Sequence, residues 1–424
     1  MSRDLYNKVK EYNGAVNARF CMPGHSGLDH LDALYSSAAY DWTEVNGLDN
    51  LLYSDGIIAN CENRIAKHYG YQNALMLTSG STCGMQIAMA IARSRQGIAL
   101  AIGDMHKSFF ASARIMGVKV RCCSDLKDAE ELRSSVKISC VFVTSPDYFG
   151  KLKPLKEIKE FALTEGALFV VDEAHSAHFP YSSLLPNNAS KYADIALVSM
   201  HKTLPVYGGG ALVLTNGVDV YMQCRALRAD IHTTSPNYLV MASMDYADDY
   251  MTSRGEEEYA KVKQAVDRFK TALKVGEVVD ADDFSRLVVK IEGVDCGKIC
   301  DALAAQGVFA EMSYADLLVF IVTPFNCDKL DLLASLINIM PQEKLESEID
   351  VDFGMQNVEK SGDVVLLLPD DALGKVCAVD VGIYPPGVPV IKKGDVINQK
   401  AIDFIKKYSS RLFGLACGKV PMIE

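Results

Sequence analysis

Between residues 74 and 215 the chain carries seven short, continuous apolar runs: "ALMLT" (74–78), "GIALAI" (97–102), "VKVRCC" (118–123), "CVFVT" (140–144), "ALFVVD" (167–172), "IALVSM" (195–200) and "GALVLT" (210–215). A strand without polar alternation has no face for water, so both of its faces must be covered. Amphipathic stretches such as "LKEIKEFALTEG" (155–166), closed by a glycine, lie between several runs and supply that cover. The pattern predicts an α/β fold with a mostly parallel sheet between two helical layers. In such sheets ligands bind beyond the carboxyl ends of the strands, so the residues that follow each run are the ones to inspect.

The 424 residues exceed one simple core. Three parts are expected: an N-terminal segment (1–55), a large domain (56–275), and a smaller C-terminal α+β region (276–424). A charged helical stretch, "RGEEEYAKVKQAVDRFKTALK" (254–274), leads into the last, which holds runs such as "SRLVVKI" (285–291) and "LLVFIVT" (317–323) and a rigid "YPPGVP" (384–389). A net charge of −11 argues against nucleic-acid binding. It suits a cationic small-molecule substrate, and solubility explains it equally well. Neither a signal peptide nor a membrane span is expected. The twelve cysteines lack zinc-like spacing, so no metal is expected and they read as reduced thiols in a cytoplasmic protein.

The strand ends carry the chemistry. After the first run, Gly80, Ser81 and Thr82 open a helical pattern and can offer N–H groups and hydroxyls to an anion, although alone they are an ordinary N-cap. After the second comes His106, a flat ring able to stack on an aromatic ligand. After the fourth, Tyr148 offers a hydroxyl within a Pro/Gly turn. The fifth run ends in Asp172, followed by His175; a carboxylate at the rim of a core needs a cationic partner, and a protonated pyridine nitrogen would serve. The sixth run delivers Ser199, His201 and Lys202, the lysine thirty residues beyond Asp172. At a desolvated rim a lysine becomes a reactive amine. The triple glycine 208–210 lacks dinucleotide-fingerprint spacing. A phosphate turn, a ring stacker, an acid and a lysine together are the set that pyridoxal 5'-phosphate requires.

In this order the motifs resemble the pyridoxal-phosphate-dependent ornithine/lysine/arginine decarboxylases, in a compact form without the N-terminal wing domain. The matching residues are Pro23-Gly24-His25, Thr43-Glu44, Gly47 to Leu51, Gly80 to Thr82, His106 to Ser108, Ser145 to Gly150, Asp172 to Phe179, Ser199 to Leu204, "TTSPNYLVMASMD" (233–245) and "YPPGVP". The resemblance implies an aminotransferase-like fold with a seven-stranded sheet, and decarboxylation of a basic amino acid (arginine, lysine or ornithine) to an amine of polyamine metabolism. It gives Lys202 the Schiff base, Asp172 the pyridinium nitrogen, His106 the ring face, and Gly80, Ser81, Thr82, Ser199 and His201 the phosphate. His175 would face the substrate or the ring hydroxyl. It also implies a homodimer with shared active sites, Thr234-Ser235-Pro236 reaching the neighbour's cofactor.

Some positions depart from the family pattern. Ser26 and Leu28 stand where "PGHKGG" has lysine and glycine, Val379 stands where a glutamate is usual with Asp380 one step on, and "PGE" becomes Lys393-Gly394-Asp395. A lost carboxylate near a site for a distal cation bears on the substrate. An altered reaction on the same fold, such as an aldolase or aminotransferase, and a non-catalytic homologue therefore stand as alternatives.

Overall fold

Each of the seven runs forms a strand: β1 (Asn73–Leu77), β2 (Ile98–Ile102), β3 (Val120–Cys123), β4 (Ile138–Thr144), β5 (Leu168–Asp172), β6 (Ile195–Val198) and β7 (Ala211–Thr215). A computed structural model describes residues 3–15, 33–132, 136–345, 353, 355–356, 358, 360, 362–384 and 387–424. The strands make one sheet in the order β1-β7-β6-β5-β4-β2-β3, and β7 alone runs against the rest. Successive side chains point to opposite faces. Met76, Val141, Phe169 and Leu212 enter one core, under helices Ile57–Tyr69 and Leu155–Thr164. Leu75, Phe142, Val170 and Val213 enter another, under helices Gly80–Ser94, Lys107–Met116 and Val218–Ile231. The expected double cover is present.

The charged stretch 254–274 belongs to a much longer helix, Tyr238–Ala272, whose first turn is capped by Asn237. Gly255 lies in its interior because the helix crosses the chain closely there: a Cβ would stand 2.4 Å from the Tyr181 carbonyl oxygen. Beyond it, β8 (Glu277–Val279), β9 (Arg286–Lys290), β10 (Met312–Tyr314) and β11 (Leu317–Ile321) form an antiparallel sheet, order β10-β11-β9-β8. The last residues build a separate small unit. In it β12 (Val364–Leu367), β13 (Val376–Cys377) and β16 (Val420–Ile423) make one sheet, and β14 (Gly382–Ile383) pairs with β15 (Leu412–Phe413). Helix Gln399–Tyr408 packs there through Phe404 and Ile405.

Register positions the site. Thr144 on β4 pairs with Asp172 on β5, and Asp172 with Leu197 on β6, so three strands end side by side. Among the described residues no helix is long and apolar enough to cross a membrane.

Candidate active site

At those strand ends lies a cavity of about 340 Å³. Gly80, Ser81, Thr82, His106, Asp172, His175, Ser199, His201 and Lys202 all line it, as does Tyr148. The structure thus brings together every expected site residue except Ser235, which is exposed and outside the lining. Tyr384 and Val388, from the distant proline motif, close one wall; Pro385 and Pro386 lie outside the described residues.

Lys202 sits in a single helical turn, Met200–Thr203, directly after β6. Ser199 Oγ donates to Ser81 Oγ at 2.8 Å, tying this turn to the one after β1. The Gly80 N–H donates to the Gly209 carbonyl at 2.8 Å. Gly209 has φ +97°, and a Cβ there would lie 2.6 Å from the Thr78 carbonyl oxygen, which accounts for one member of the triple glycine. His201 donates its Nδ1–H to the Gly210 carbonyl at 2.9 Å. Behind the turn, the Thr78 N–H donates to His232 Nε2 at 3.0 Å. The start of helix Gly80–Ser94 is therefore fixed with its first N–H groups at the cavity, an arrangement that favours an anion.

Burial dominates the electrostatics. Asp172 is 6% exposed, and burial pushes its carboxyl up against the opposing pull of Lys202 and of the Ala174 N–H at 3.1 Å. Burial pulls the Lys202 amine down, with Arg286 adding to the effect and Asp172 and Glu311 opposing it. His106 is held at about 4 by burial and by Lys202 and Lys107, so its ring is neutral at pH 7. Its Nδ1 accepts the Ser108 N–H at 3.2 Å, which leaves the hydrogen on Nε2.

Three residues of this neighbourhood escaped the sequence reading or its role assignments. Arg286, at the start of β9, is 2% exposed and donates from Nη2 to His175 Nδ1 at 2.9 Å. His175 Nε2 lies 3.2 Å from Lys202 Nζ. The Tyr148 hydroxyl donates to Glu311 at 2.6 Å, and its ring meets His175 edge-on at 4.6 Å between centroids. Nothing local marked Arg286 and Glu311, because they meet the lining residues His175 and Tyr148 only by folding of the second sheet. An arginine heading the apolar run "RLVVK" was the one available sign.

The departures resolve unevenly. Ser26 and Leu28 lie outside the described residues. Val379 is half-buried against the C-terminal cluster. Asp380 pairs with Arg114 at 2.7 Å and accepts the Lys393 N–H at 2.9 Å, so it is committed away from the lysine cavity. Asp395 accepts the Lys392 N–H at 2.7 Å.

Residues 38–291 match the model of the family described as aminotransferase class I and II. The chain belongs to that family. It is a family of pyridoxal-phosphate enzymes, and the residues present fit the cofactor. A buried carboxylate, a half-buried amine and a neutral imidazole line one cavity beside a fixed helix start with two linked serines that can take a phosphate. The arginine decarboxylase of Bacillus subtilis (strain 168) is 24% identical over 95% of this chain and 93% of its own length. The protein YaaO of the same organism, uncharacterised, is 25% identical over 97% and 95%. The crystal structure of the Francisella novicida lysine decarboxylase LdcF superposes with a TM-score of 0.77 at 16% identity, covering 100% of this chain and 82% of that one. At that identity the likeness establishes the aminotransferase-like fold, as expected from the sequence.

Proposed function

We propose that this chain decarboxylates a basic amino acid, arginine, lysine or ornithine, to the corresponding amine with pyridoxal phosphate as cofactor. The observation that carries this reading is the single cavity in which Lys202, Asp172, His106 and the Ser81–Ser199 link converge. The decarboxylase relatives, matched over nearly their whole length, support the substrate class. Bound there, the cofactor supplies an electron sink for the pair left on the α-carbon when CO₂ departs.

The chain's own groups divide the remaining work. Lys202 Nζ attaches the cofactor. Asp172 gives its ring nitrogen a carboxylate partner that keeps it protonated. His106 covers the ring face, and Ser81, Thr82, Ser199 and His201, with the N–H groups that follow Gly80 at the helix start, hold the phosphate. After CO₂ leaves, Lys202 Nζ returns a proton to the α-carbon. Two copies pair, and the segment Thr234-Ser235-Pro236, exposed at Thr234 and Ser235, completes the neighbour's site. Free cysteines throughout the described residues support a reducing compartment, the cytoplasm.

Assaying CO₂ release from arginine, lysine and ornithine tests the reading. Release from at least one is expected; silence on all three with cofactor bound overturns it. Val379 and the committed Asp380 favour the second reading in that event, an altered substrate or reaction on the same fold.

A further inference from the structure

Arginine has five N–H donors and no acceptor. His175 Nδ1, at 2.9 Å from Arg286 Nη2, must therefore accept, and the neutral ring then carries its hydrogen on Nε2. That Nε2 lies 3.2 Å from Lys202 Nζ. An N–H facing an ammonium would set two donors head to head. The contact is a hydrogen bond only when Lys202 is an uncharged amine that accepts.

Arg286 is expensive to bury. Its Nε and Nη1 have no acceptor among the described residues, and its nearest negative charges are Asp283 and Glu311. A guanidinium with most donors unfilled adds little to stability, since an apolar side chain of similar size would do as well there. Gly150 makes room for it: a Cβ at that position would stand 2.7 Å from Arg286 Cβ. The costs are explained by the bond to His175.

We propose that Arg286 is a positioning residue that holds His175 as the Nε2–H tautomer, keeps Lys202 an uncharged amine and bars His175 from acting as a base. Lys202 is then the group at this contact that can take up a proton and, once charged, pass it on. The groups that face His175 are Lys202, Arg286, His106, His178 and the Tyr148 ring, and burial first, then the Arg286 charge, holds its basicity far below that of a free imidazole. The inference rests on the proposed role of Lys202 as the cofactor lysine but not on the identity of the substrate.

The test is nitrogen NMR of the full chain labelled with ¹⁵N-histidine, the His175 signals assigned with His175→Gln. The wild type should show Nε2–H and a bare Nδ1 for His175, unchanged across the neutral pH range. Arg286→Met should mix the tautomers and let His175 titrate. In the cofactor-free protein it should also raise the pH midpoint for acylation of Lys202 by about one pH unit, because a nearby cation has been removed. Arg286→Lys, which restores a donor and a charge, should recover much of both. An Nδ1–H signal for His175 in the wild type overturns the proposal even if both variants misfold. So does an unchanged His175 spectrum in a folded Arg286→Met. The CO₂ assay reads the proposed function separately, so the two can fail independently.

Discussion

Lys202 and Asp172 are a mismatched pair: burial drives each toward its neutral form while the charge of the other resists. Their roles separate on substitution. Lys202→Ala should lose the visible absorption of bound cofactor, with turnover falling on the order of 10²–10⁴-fold for the lost proton-transferring group. Asp172→Asn should keep the absorption and lose turnover by about 10²–10³-fold, the usual worth of one preorganised electrostatic partner. Unchanged turnover in Asp172→Asn would contradict its assignment. Both residues were legible because they stand at or just beyond the end of an apolar strand, and a charged residue at that boundary is visible in one dimension. Arg286 begins a strand of the second sheet, where a charge is commonplace. Only the approach of β9 to Gly150 and His175 gives it meaning.

The elements were legible for the reason the strands were: short apolar runs of five or six residues leave few options, and all seven enter one sheet. The 35-residue helix was seen only in its charged half, because its first half buries three aspartates, Asp245, Asp248 and Asp249, which blur the apolar period. Gly255 in that helix is a sensitive point. Helix propensity favours Gly255→Ala by about 1 kcal/mol. The overlap with the Tyr181 carbonyl should outweigh this and leave a net loss of about 1–2 kcal/mol, read as a lower denaturant midpoint. The loop after β5 holds a second one. Glu173 accepts the Ala189 N–H at 2.8 Å, with Ser176 and Tyr71 hydroxyls at 3.2 Å, and burial pushes its carboxyl up to about 7. Its folded value lies above the unfolded one, so its contribution is complete below the unfolded carboxyl range and is lost as pH rises through about 7. Glu173→Gln should therefore compare better with the wild type at pH 8.5 than at pH 5 in thermal melts. A gap that does not change with pH would refute this.

For the whole molecule, the sequence pointed to the order of sheet and second domain but gave no sign that the C-terminal residues would form their own small unit beside the cavity. Its strands are only two to four residues long, too short for a periodic signal. The proposed pairing of two copies is checked at this scale: sedimentation should show a mass above one chain. Ser235→Arg, exposed within the single chain, should weaken cofactor retention without lowering the melting temperature of the cofactor-free protein. Retention equal to the wild type would remove Ser235 from the site. The Lys107 N–H donates to the Gly387 carbonyl at 2.8 Å, and a Cβ on Gly387 would lie 3.0 Å from His106 Nε2. His106 thus leans on a residue synthesised 281 positions after it. On the ribosome Lys202, Asp172 and the turn at Gly80 emerge long before this wall does, so under the proposed function the cofactor site is closed only once residues 384–388 have been made.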